Sequence, residues 1–294
     1  MRDVAKHLYP FEGHWHDRGQ GIRMHYLDEG QGAPVLMLHG NPSWSFYYRR
    51  LVQALSPSRR CIVPDHVGMG PSDKPDAARY PYTLQARVAD LQSLIETLDL
   101  REPLTLVVHD WGGMIGMAWA TQHPERIAKL VILNTAAFPL PASKPFPWQL
   151  GLVRTPLGTL LVRGLNAFSA GATRMAMTRT AMSNEVAAAY TAPYDSWAHR
   201  VATLRFVQDI PLRAGDPGFE LVQATAGKLG LFAHTPTFIG WGGKDFVFDD
   251  HFLAEWRVKL PHAHVVYLAD AGHYVLEDAA DELIPQITHF ITEG

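Results

Sequence analysis

Short apolar segments alternate with segments of helical pattern along the first half of the chain. Continuous apolar character predicts buried strands over residues 34–38, 60–64, 104–108 and 130–133. Apolar side chains also recur close to the helical period within residues 83–98, at Leu84, Val88, Leu91, Leu94, Ile95 and Leu98. Strands that alternate with helices predict an α/β fold with a mostly parallel sheet covered on both faces.

Two regions depart from this alternation. Residues 11–30 alternate polar and apolar positions around glycines and predict an antiparallel hairpin at one edge of the sheet. A proline-rich stretch at residues 139–147 then leads into a segment rich in Ala, Met and Thr. We interpret residues 139–230 as a helical cap inserted over the sheet, with the core formed by residues 1–138 and 231–294.

The end of the chain returns to the α/β pattern. Apolar segments at residues 236–241 and 265–268 predict two further strands, with a helix over residues 250–260 between them. We expect a last helix over residues 279–292, kinked or starting late because it contains Pro285.

Composition restricts the class of protein. At 294 residues, with 47% hydrophobic and 19% charged side chains, the chain suits one α/β unit with an insertion. The formal net charge of −3 supplies no basic face for nucleic acid, and no apolar run reaches membrane-spanning length. The first residues lack the apolar stretch of a signal peptide, and the single cysteine, Cys61, cannot form an internal disulfide. We therefore expect a cytoplasmic protein without nucleic-acid partners or a membrane span.

Candidate chemistry centres on residues 107–113, with the sequence VVHDWGG. Here an apolar strand meets, across a sharp turn, a helix predicted over residues 114–121, which is the arrangement of an α/β-hydrolase nucleophile elbow. The residue at the elbow is Asp110, and the serine motif G-x-S-x-G does not occur in the chain. Asp110 is thus the candidate nucleophile, the alternative being a helix N-cap.

An aspartate nucleophile restricts the electrophile. Attack by serine on a saturated carbon would leave an ether that imidazole-activated water cannot cleave, whereas attack by Asp110 leaves an ester that water can open. The expected substrates therefore carry an sp³ electrophile, in a haloalkane, an epoxide or a strained lactone.

Two further residues complete a triad. Asp245 follows one predicted strand, and His273 lies in a Gly-His turn after the next. Nucleophile, acid and base in this order follow the α/β-hydrolase pattern, with His273 activating water and Asp245 orienting its imidazole. Residues 134–150, the other position for the acid, contain no Asp or Glu. Asp249 and Asp250 are alternatives, although they suit the first turn of the next helix better.

Asn41 and Trp111 are candidates for leaving-group binding. Asn41 follows the strand at residues 34–38, where α/β-hydrolases place an oxyanion donor. An amide N–H and an indole N–H can solvate a departing halide or carboxylate, and the backbone N–H of Trp111 can hold an oxyanion. Core packing is the alternative role for Trp111. An epoxide would instead need an acid, such as Tyr190 or Tyr194, for which packing is the alternative.

The fifteen histidines raise the question of a metal. His14 with His16, and His262 with His264, have the alternate spacing that places two ligands on one strand face. The chain has no Cys cluster and no H-E-x-x-H motif. We predict no catalytic metal and no cofactor.

These motifs resemble those of the haloalkane dehalogenases. The matching stretches are HGNPSW at residues 39–44 and HDWGG at residues 109–113, together with Asp245 and His273. More specific stretches resemble the third subfamily, which includes the bacterial β-lactone decarboxylases of long-chain olefin biosynthesis. They are LNTAAFP at 133–139, NAFS at 166–169, APYDSW at 192–197 and RFVQDIP at 205–211. The resemblance runs from about residue 27 to residue 290.

The resemblance implies decarboxylation of β-lactones bearing two long alkyl chains to cis-alkenes, with attack by Asp110 at either the carbonyl or the ring carbon. Haloalkane hydrolysis is the alternative, because both activities use the same five groups: Asp110, His273, Asp245, Asn41 and Trp111. Epoxide hydrolysis is less favoured. A receptor built on the same fold is also less favoured, since the triad is complete. The family also implies a small hydrophobic substrate, self-association and association with other olefin-pathway enzymes.

Overall fold

The computed structural model describes residues 2–145, 151 and 153–293. In this part of the chain eight strands form one sheet, in the order β1-β2-β4-β3-β5-β6-β7-β8. Their bounds are β1 His14–Asp17, β2 Arg23–Glu29, β3 Pro34–Leu38, β4 Arg60–Pro64, β5 Leu104–Asp110, β6 Ile127–Thr135, β7 Thr237–Gly242 and β8 His264–Leu268. The pairs β1–β2 and β2–β4 are antiparallel and the other pairs are parallel. The predicted α/β fold with an edge hairpin is confirmed.

Helices cover both faces of this sheet. On one face α2 (Leu84–Thr97) packs beside α3 (Trp111–Ala120), and on the other α1 (Arg49–Leu55) packs against the last helix. Alternate residues of β3 enter the two cores: Leu36 lies with the first pair of helices and Val35 with the second. Burial on both sides explains why the central strands are continuously apolar.

The segment between β6 and β7 is helical, as the predicted cap requires. Its helices are α4 Pro156–Thr159, α5 Ala167–Met175, α6 Asn184–Thr191, α7 Val201–Gln208 and α8 Phe219–Lys228. Part of the predicted cap, residues 146–150 and 152, lies outside the described residues. The exact cap boundaries at residues 139 and 230 stay a prediction.

After β7 the chain forms α9 (Asp250–Lys259), α10 (Val275–Asp278) and α11 (Ala280–Thr292). Of the two expectations for the last helix, a late start is wrong, because α11 begins at Ala280, ahead of Pro285, and a kink at Pro285 stays a prediction. The hydrogen bond that Pro285 cannot donate would reach the carbonyl of Asp281, an exposed residue at the start of the helix, where solvent can replace it. None of the helices within the described ranges has the length and apolar character needed to cross a membrane.

The centre of the sheet contains a reversal of strand order. β3 lies between β4 and β5, with Leu38 beside Val108, so that the chain leaves β3 toward one edge and later continues from β5 toward the other. Such a switch point is where open α/β sheets bind ligands, beyond the carboxyl ends of the strands. The segments that leave β3 and β5 here carry Asn41 and Asp110.

Candidate active site

Asp110 ends β5 and directly precedes α3, which begins three residues earlier than the sequence predicts. Its backbone has φ +51° and ψ −126°, a conformation that a non-glycine residue rarely adopts. The turn is tight on both sides. A Cβ atom at Gly112 would collide with the carbonyl oxygen of Leu38, and one at Gly113 would collide with the hydroxyl of Thr135. The two glycines therefore allow the elbow to sit against β3 and β6.

Backbone N–H groups hold the Asp110 carboxylate. The N–H of Asn41 donates to Oδ1 of Asp110 at 2.6 Å, and the N–H of Trp111 also donates to the carboxylate. A side chain at Gly40 would collide with Asp110, so this approach of the chain requires glycine there. Burial raises the pKa of Asp110, while the charge of His273 and the two N–H groups act in the opposite direction. The two donors form an oxyanion-hole arrangement.

His273 and Asp245 lie beside Asp110, the candidate nucleophile, and all three residues are buried. Nδ1 of His273 is 2.7 Å from Oδ2 of Asp245, and its Nε2 is 3.6 Å from Oδ2 of Asp110. Oδ1 of Asp245 accepts the backbone N–H groups of Val247 at 2.7 Å and Phe248 at 3.1 Å. Asp245 is thus fixed by its own loop and in turn orients the imidazole.

The pKa of His273 is raised above its ordinary value. Burial alone would lower it, but the charge and hydrogen bond of Asp245, together with the charge of Asp110, outweigh that effect. The imidazole is therefore a stronger base here than in water. A base beside a carboxylate nucleophile suits the abstraction of a proton from water.

The two leaving-group candidates lie at the boundary between core and cap. The ring of Trp111 packs edge-on against Phe206 of α7, with centroids 5.2 Å apart. The side-chain amide of Asn41 donates to the carbonyl of Thr203, also in α7, at 3.1 Å, which uses one of its two hydrogens. Oδ1 of Asn41 is buried without a hydrogen-bond partner among the described residues. The amide is therefore positioned by the cap.

The cap tyrosines have other partners. The hydroxyl of Tyr190 donates to Glu277 at 2.6 Å, and that of Tyr194 donates to the carbonyl of Ser43 at 3.3 Å. Both residues are buried and pack in the core. These contacts favour the packing role over that of an acid for an epoxide oxygen.

The alternative acids belong to α9. Asp249 caps this helix by accepting the N–H of His251 at 3.1 Å, and Asp250 is its first residue. Among the described residues no group of three or more His, Cys, Asp or Glu side chains is arranged to hold a metal ion. His16 instead contacts Ser93, and His262 contacts the carbonyl of Thr235.

Two residues that sequence reasoning missed support the site from behind. Nε2 of His109 contacts the carbonyl oxygen of His273 at 2.9 Å, and its ring stacks on Tyr47 with centroids 4.3 Å apart. Asn134, at the end of β6 with φ +35°, accepts the N–H of Gly242 at 2.8 Å and donates to its carbonyl at 3.1 Å. The contacts of His109 with His273 and of Asn134 with Gly242 each join residues more than a hundred positions apart, so no local pattern reports them.

Comparison with known proteins agrees with this geometry. The family model described as the alpha/beta hydrolase fold matches residues 33–280. The chain belongs to this family. As an α/β-hydrolase, it places Asp110 at the position where the family holds its nucleophile.

Three relatives of this α/β-hydrolase carry names that describe their reactions. A cis-3-alkyl-4-alkyloxetan-2-one decarboxylase from Shewanella oneidensis is 57% identical, over 97% of this chain and 90% of the relative. A protein of the same name from Xanthomonas campestris pv. campestris is 52% identical, over 92% and 93% of the two chains. A haloalkane dehalogenase 2 from Mycobacterium bovis is 32% identical, over 95% of each chain.

The fold is similar to that of a solved haloalkane dehalogenase. The crystal structure of a haloalkane dehalogenase from Bradyrhizobium elkani USDA94 superposes with a TM-score of 0.83 and 28% sequence identity, over 96% of this chain and 98% of that one. The α/β-hydrolase described here is therefore more similar in sequence to the named decarboxylases than to these dehalogenases.

Proposed function

We propose that this protein decarboxylates cis-3-alkyl-4-alkyloxetan-2-ones, four-membered lactones with two alkyl chains, to cis-alkenes and CO₂. The observation that carries the proposal is the nucleophile: a buried carboxylate held by two backbone N–H groups and flanked by His273. An elbow built around Asp suits a substrate with an sp³ electrophilic carbon. The identity of 57% and 52% to two proteins named for this reaction supports the substrate class.

In the first step Oδ2 of Asp110 attacks C4, the ring carbon that carries the ring oxygen. The new bond joins C4 to Asp110, the bond from C4 to the ring oxygen breaks, and its electron pair stays on the departing carboxylate. That carboxylate remains attached to C3. Trp111 and Asn41 are the donors that receive its negative charge.

In the second step the bond from C3 to the carboxylate carbon breaks and its electron pair forms the C3=C4 double bond. The C4–O bond to Asp110 breaks at the same time and returns its pair to the aspartate, so CO₂ and the alkene leave. No water or proton is consumed. Inversion at C4 followed by anti elimination converts a cis lactone into a cis alkene.

In this scheme the charge of His273, which Asp245 orients, favours the ionised form of Asp110. His273 also acts as the base whenever an ester of Asp110 must be hydrolysed. The 3.6 Å and 2.7 Å contacts of the imidazole support both roles. We place the reaction in the cytoplasm, which the single buried Cys61 supports. Self-association and pathway partners stay predictions.

Product analysis tests the proposal. Purified protein is given either a cis-dialkyl β-lactone or 1-bromobutane, and alkene, alcohol and bromide are measured. We expect alkene from the lactone with the higher kcat/KM. Turnover of the haloalkane with the higher kcat/KM, with no alkene from the lactone, would overturn the proposal.

Haloalkane hydrolysis is the second candidate, because an indole and an amide beside an Asp nucleophile also suit a halide. The two reactions differ in their use of water. Turnover in water enriched in oxygen-18 should leave Asp110 unlabelled with the lactone and should label it with the haloalkane, where hydroxide attacks the ester carbonyl. Label in Asp110 that appears in step with the alkene, with no hydroxy acid formed by hydrolysis of the adduct, would exclude the ring-carbon route while leaving the decarboxylation itself intact.

A further inference from the structure

A cavity of about 310 Å³, separate from the site around Asp110, lies between the cap and the loop that follows β4. Its walls come from residues 74–77 on the loop side, and on the cap side from α4, the helical segment Leu160–Gly164, Ala198 and α7. α7 separates it from the active site: Val201, Leu204 and Arg205 line the cavity, whereas Thr203 and Phe206 of the same helix contact Asn41 and Trp111. None of the proposed catalytic residues lines this cavity.

The charged groups of the cavity are mostly positive. Lys74, Arg163 and Arg205 line it together with one carboxylate, Asp76. The oxygen Oδ1 of Asp76 accepts the backbone N–H groups of Ala78 and Arg79 at 3.0 Å, so this carboxylate is engaged by its own turn. The cavity therefore carries excess positive charge.

The two guanidinium groups are not neutralised by a neighbouring acid. Arg163 donates to the carbonyl of Trp197 at 3.1 Å, and Arg205 donates to the side chain of Gln208 at 3.3 Å. Within the described ranges neither arginine has a carboxylate within ion-pair distance. Burial and the like charge of Arg205 lower the pKa of Arg163, which is the effect expected of two cations that share a site without a counterion.

Lys74 adds a third donor that is held in place. Its Nζ donates to the carbonyls of Gly70 at 2.5 Å and Ser72 at 3.0 Å, and burial lowers its pKa to about 8. These contacts fix the ammonium at the wall and use two of its three hydrogens. The charges of Asp65, Asp195 and Asp73 act on this ammonium in the opposite direction to burial, so the two arginines carry the uncompensated charge of the cavity.

Apolar groups adjoin these cations. Val201 and Leu204 form part of the wall, and two exposed side chains, Leu160 and Trp197, lie outside it. The guanidinium of Arg163 lies 4.6 Å from the ring centre of Trp197, so the charged and apolar parts are contiguous. A ligand that matches both has an oxyanion at one end and an alkyl chain at the other.

We propose that this cavity is a second binding site, which takes the oxyanion headgroup of an alkyl amphiphile between Arg163, Arg205 and Lys74, with the chain over Leu160 and Trp197. Guanidinium groups bind carboxylates and phosphates through paired N–H donors, which a free ammonium cannot do. The headgroup replaces the missing counterion. The same chemistry is offered by a fatty acid and by an anionic lipid headgroup.

Calorimetric titration with decanoate, below its micelle concentration, tests the site. We expect binding to the full-length protein that is weakened about tenfold or more in Arg163→Gln/Arg205→Gln, because two charge-assisted contacts are lost. The matched control, Arg101→Gln/Arg257→Gln, removes the same charge from exposed positions elsewhere and should bind as the wild type does. Circular dichroism checks that both double variants are folded.

Two further experiments, vesicle co-sedimentation and phosphate binding, distinguish a lipid headgroup from a free fatty acid and can overturn the proposal. Co-sedimentation with vesicles of phosphatidylcholine plus phosphatidylglycerol, lost with phosphatidylcholine alone and in the Arg163/Arg205 variant, identifies a lipid headgroup. Decanoate binding without co-sedimentation identifies a free fatty acid. Inorganic phosphate that binds as tightly as decanoate removes the role of the chain and overturns the amphiphile site. Decanoate binding that is absent, or equal in the wild type and the Arg163/Arg205 variant, overturns it as well.

Discussion

Nε2 of His273 lies 3.6 Å from Oδ2 of Asp110, which is an ion-pair contact but longer than a hydrogen bond. The other carboxylate oxygen is bonded by the N–H of Asn41 at 2.6 Å. One oxygen is therefore fixed by the backbone, while the other faces the imidazole without a bond to it. This arrangement suits the proposed roles, in which Oδ2 attacks the substrate and the imidazole binds a water molecule next to the adduct.

The first prediction concerns Asp110 itself. Asp110→Ala and Asp110→Gly should both abolish turnover of lactone and haloalkane, because each lacks the nucleophile. Asp110→Gly should be the more stable of the two by about 1 kcal/mol, because glycine adopts φ +51° without strain. Urea unfolding measures the difference. Full activity in Asp110→Ala would contradict the role of Asp110 as nucleophile. Equal stabilities of the two variants would contradict the backbone strain at this position.

Trp111 gives a second prediction. Trp111→Phe should retain the fold but lower kcat about a hundredfold, the effect expected when a donor to developing negative charge is lost. Trp119→Phe is the matched control, since Trp119 lies in the same helix, is equally buried and donates to Gln92 instead. Equal rates in the two variants would return Trp111 to a packing role.

The pH dependence of kcat/KM gives a third prediction. Burial raises the pKa of Asp110 above the ordinary aspartate value of about 3.9. Lactone turnover needs the ionised carboxylate, so the rate should be at its maximum above the pKa of Asp110 and should be lost as the pH falls through that pKa. The charge of His273 holds this pKa down. In His273→Gln the acid limb of the residual activity should therefore move to higher pH, whereas the exposed His289→Gln should leave it unchanged. A limb that stays in place in His273→Gln argues against the coupling.

His109 gives a fourth prediction, as a positioning residue. His109→Leu removes the contact with the carbonyl of His273 and leaves that carbonyl without this partner. We expect kcat for haloalkane hydrolysis to fall about tenfold with kcat/KM little changed, because the base acts on the covalent ester after the substrate has reacted. His109→Gln, which can keep a donor near the carbonyl, should recover most of kcat. A change in KM alone would point to a different role.

Much of this arrangement could be predicted from the sequence because its signals are local. The apolar strand, the Asp and the two glycines lie within seven residues, and the order of Asp110, Asp245 and His273 along the chain predicted the three side chains that the fold brings together. Their catalytic roles stay predictions until the variants are measured.

The contacts that sequence reasoning missed are long-range ones. Asn134 holds Gly242, and the cap carbonyl of Thr203 holds Asn41. Such pairs depend on which strands are neighbours and on where the cap rests, and neither is encoded in a short window of sequence. The sequence predicts a later start for α3 because Gly112 and Gly113 have low helix propensity, and close packing against β3 and β6 outweighs that propensity.

Because Asn41 is anchored by Thr203 and Trp111 packs on Phe206, the two core donors depend on one helix of the cap. A cap with a differently placed α7 would change the partners of both donors at once. If Asn41 and Trp111 bind the leaving group as proposed, replacement of the cap would change the rate at which the anion departs as well as the substrates that enter. Substrate range and leaving-group chemistry would then change together while the triad stays the same.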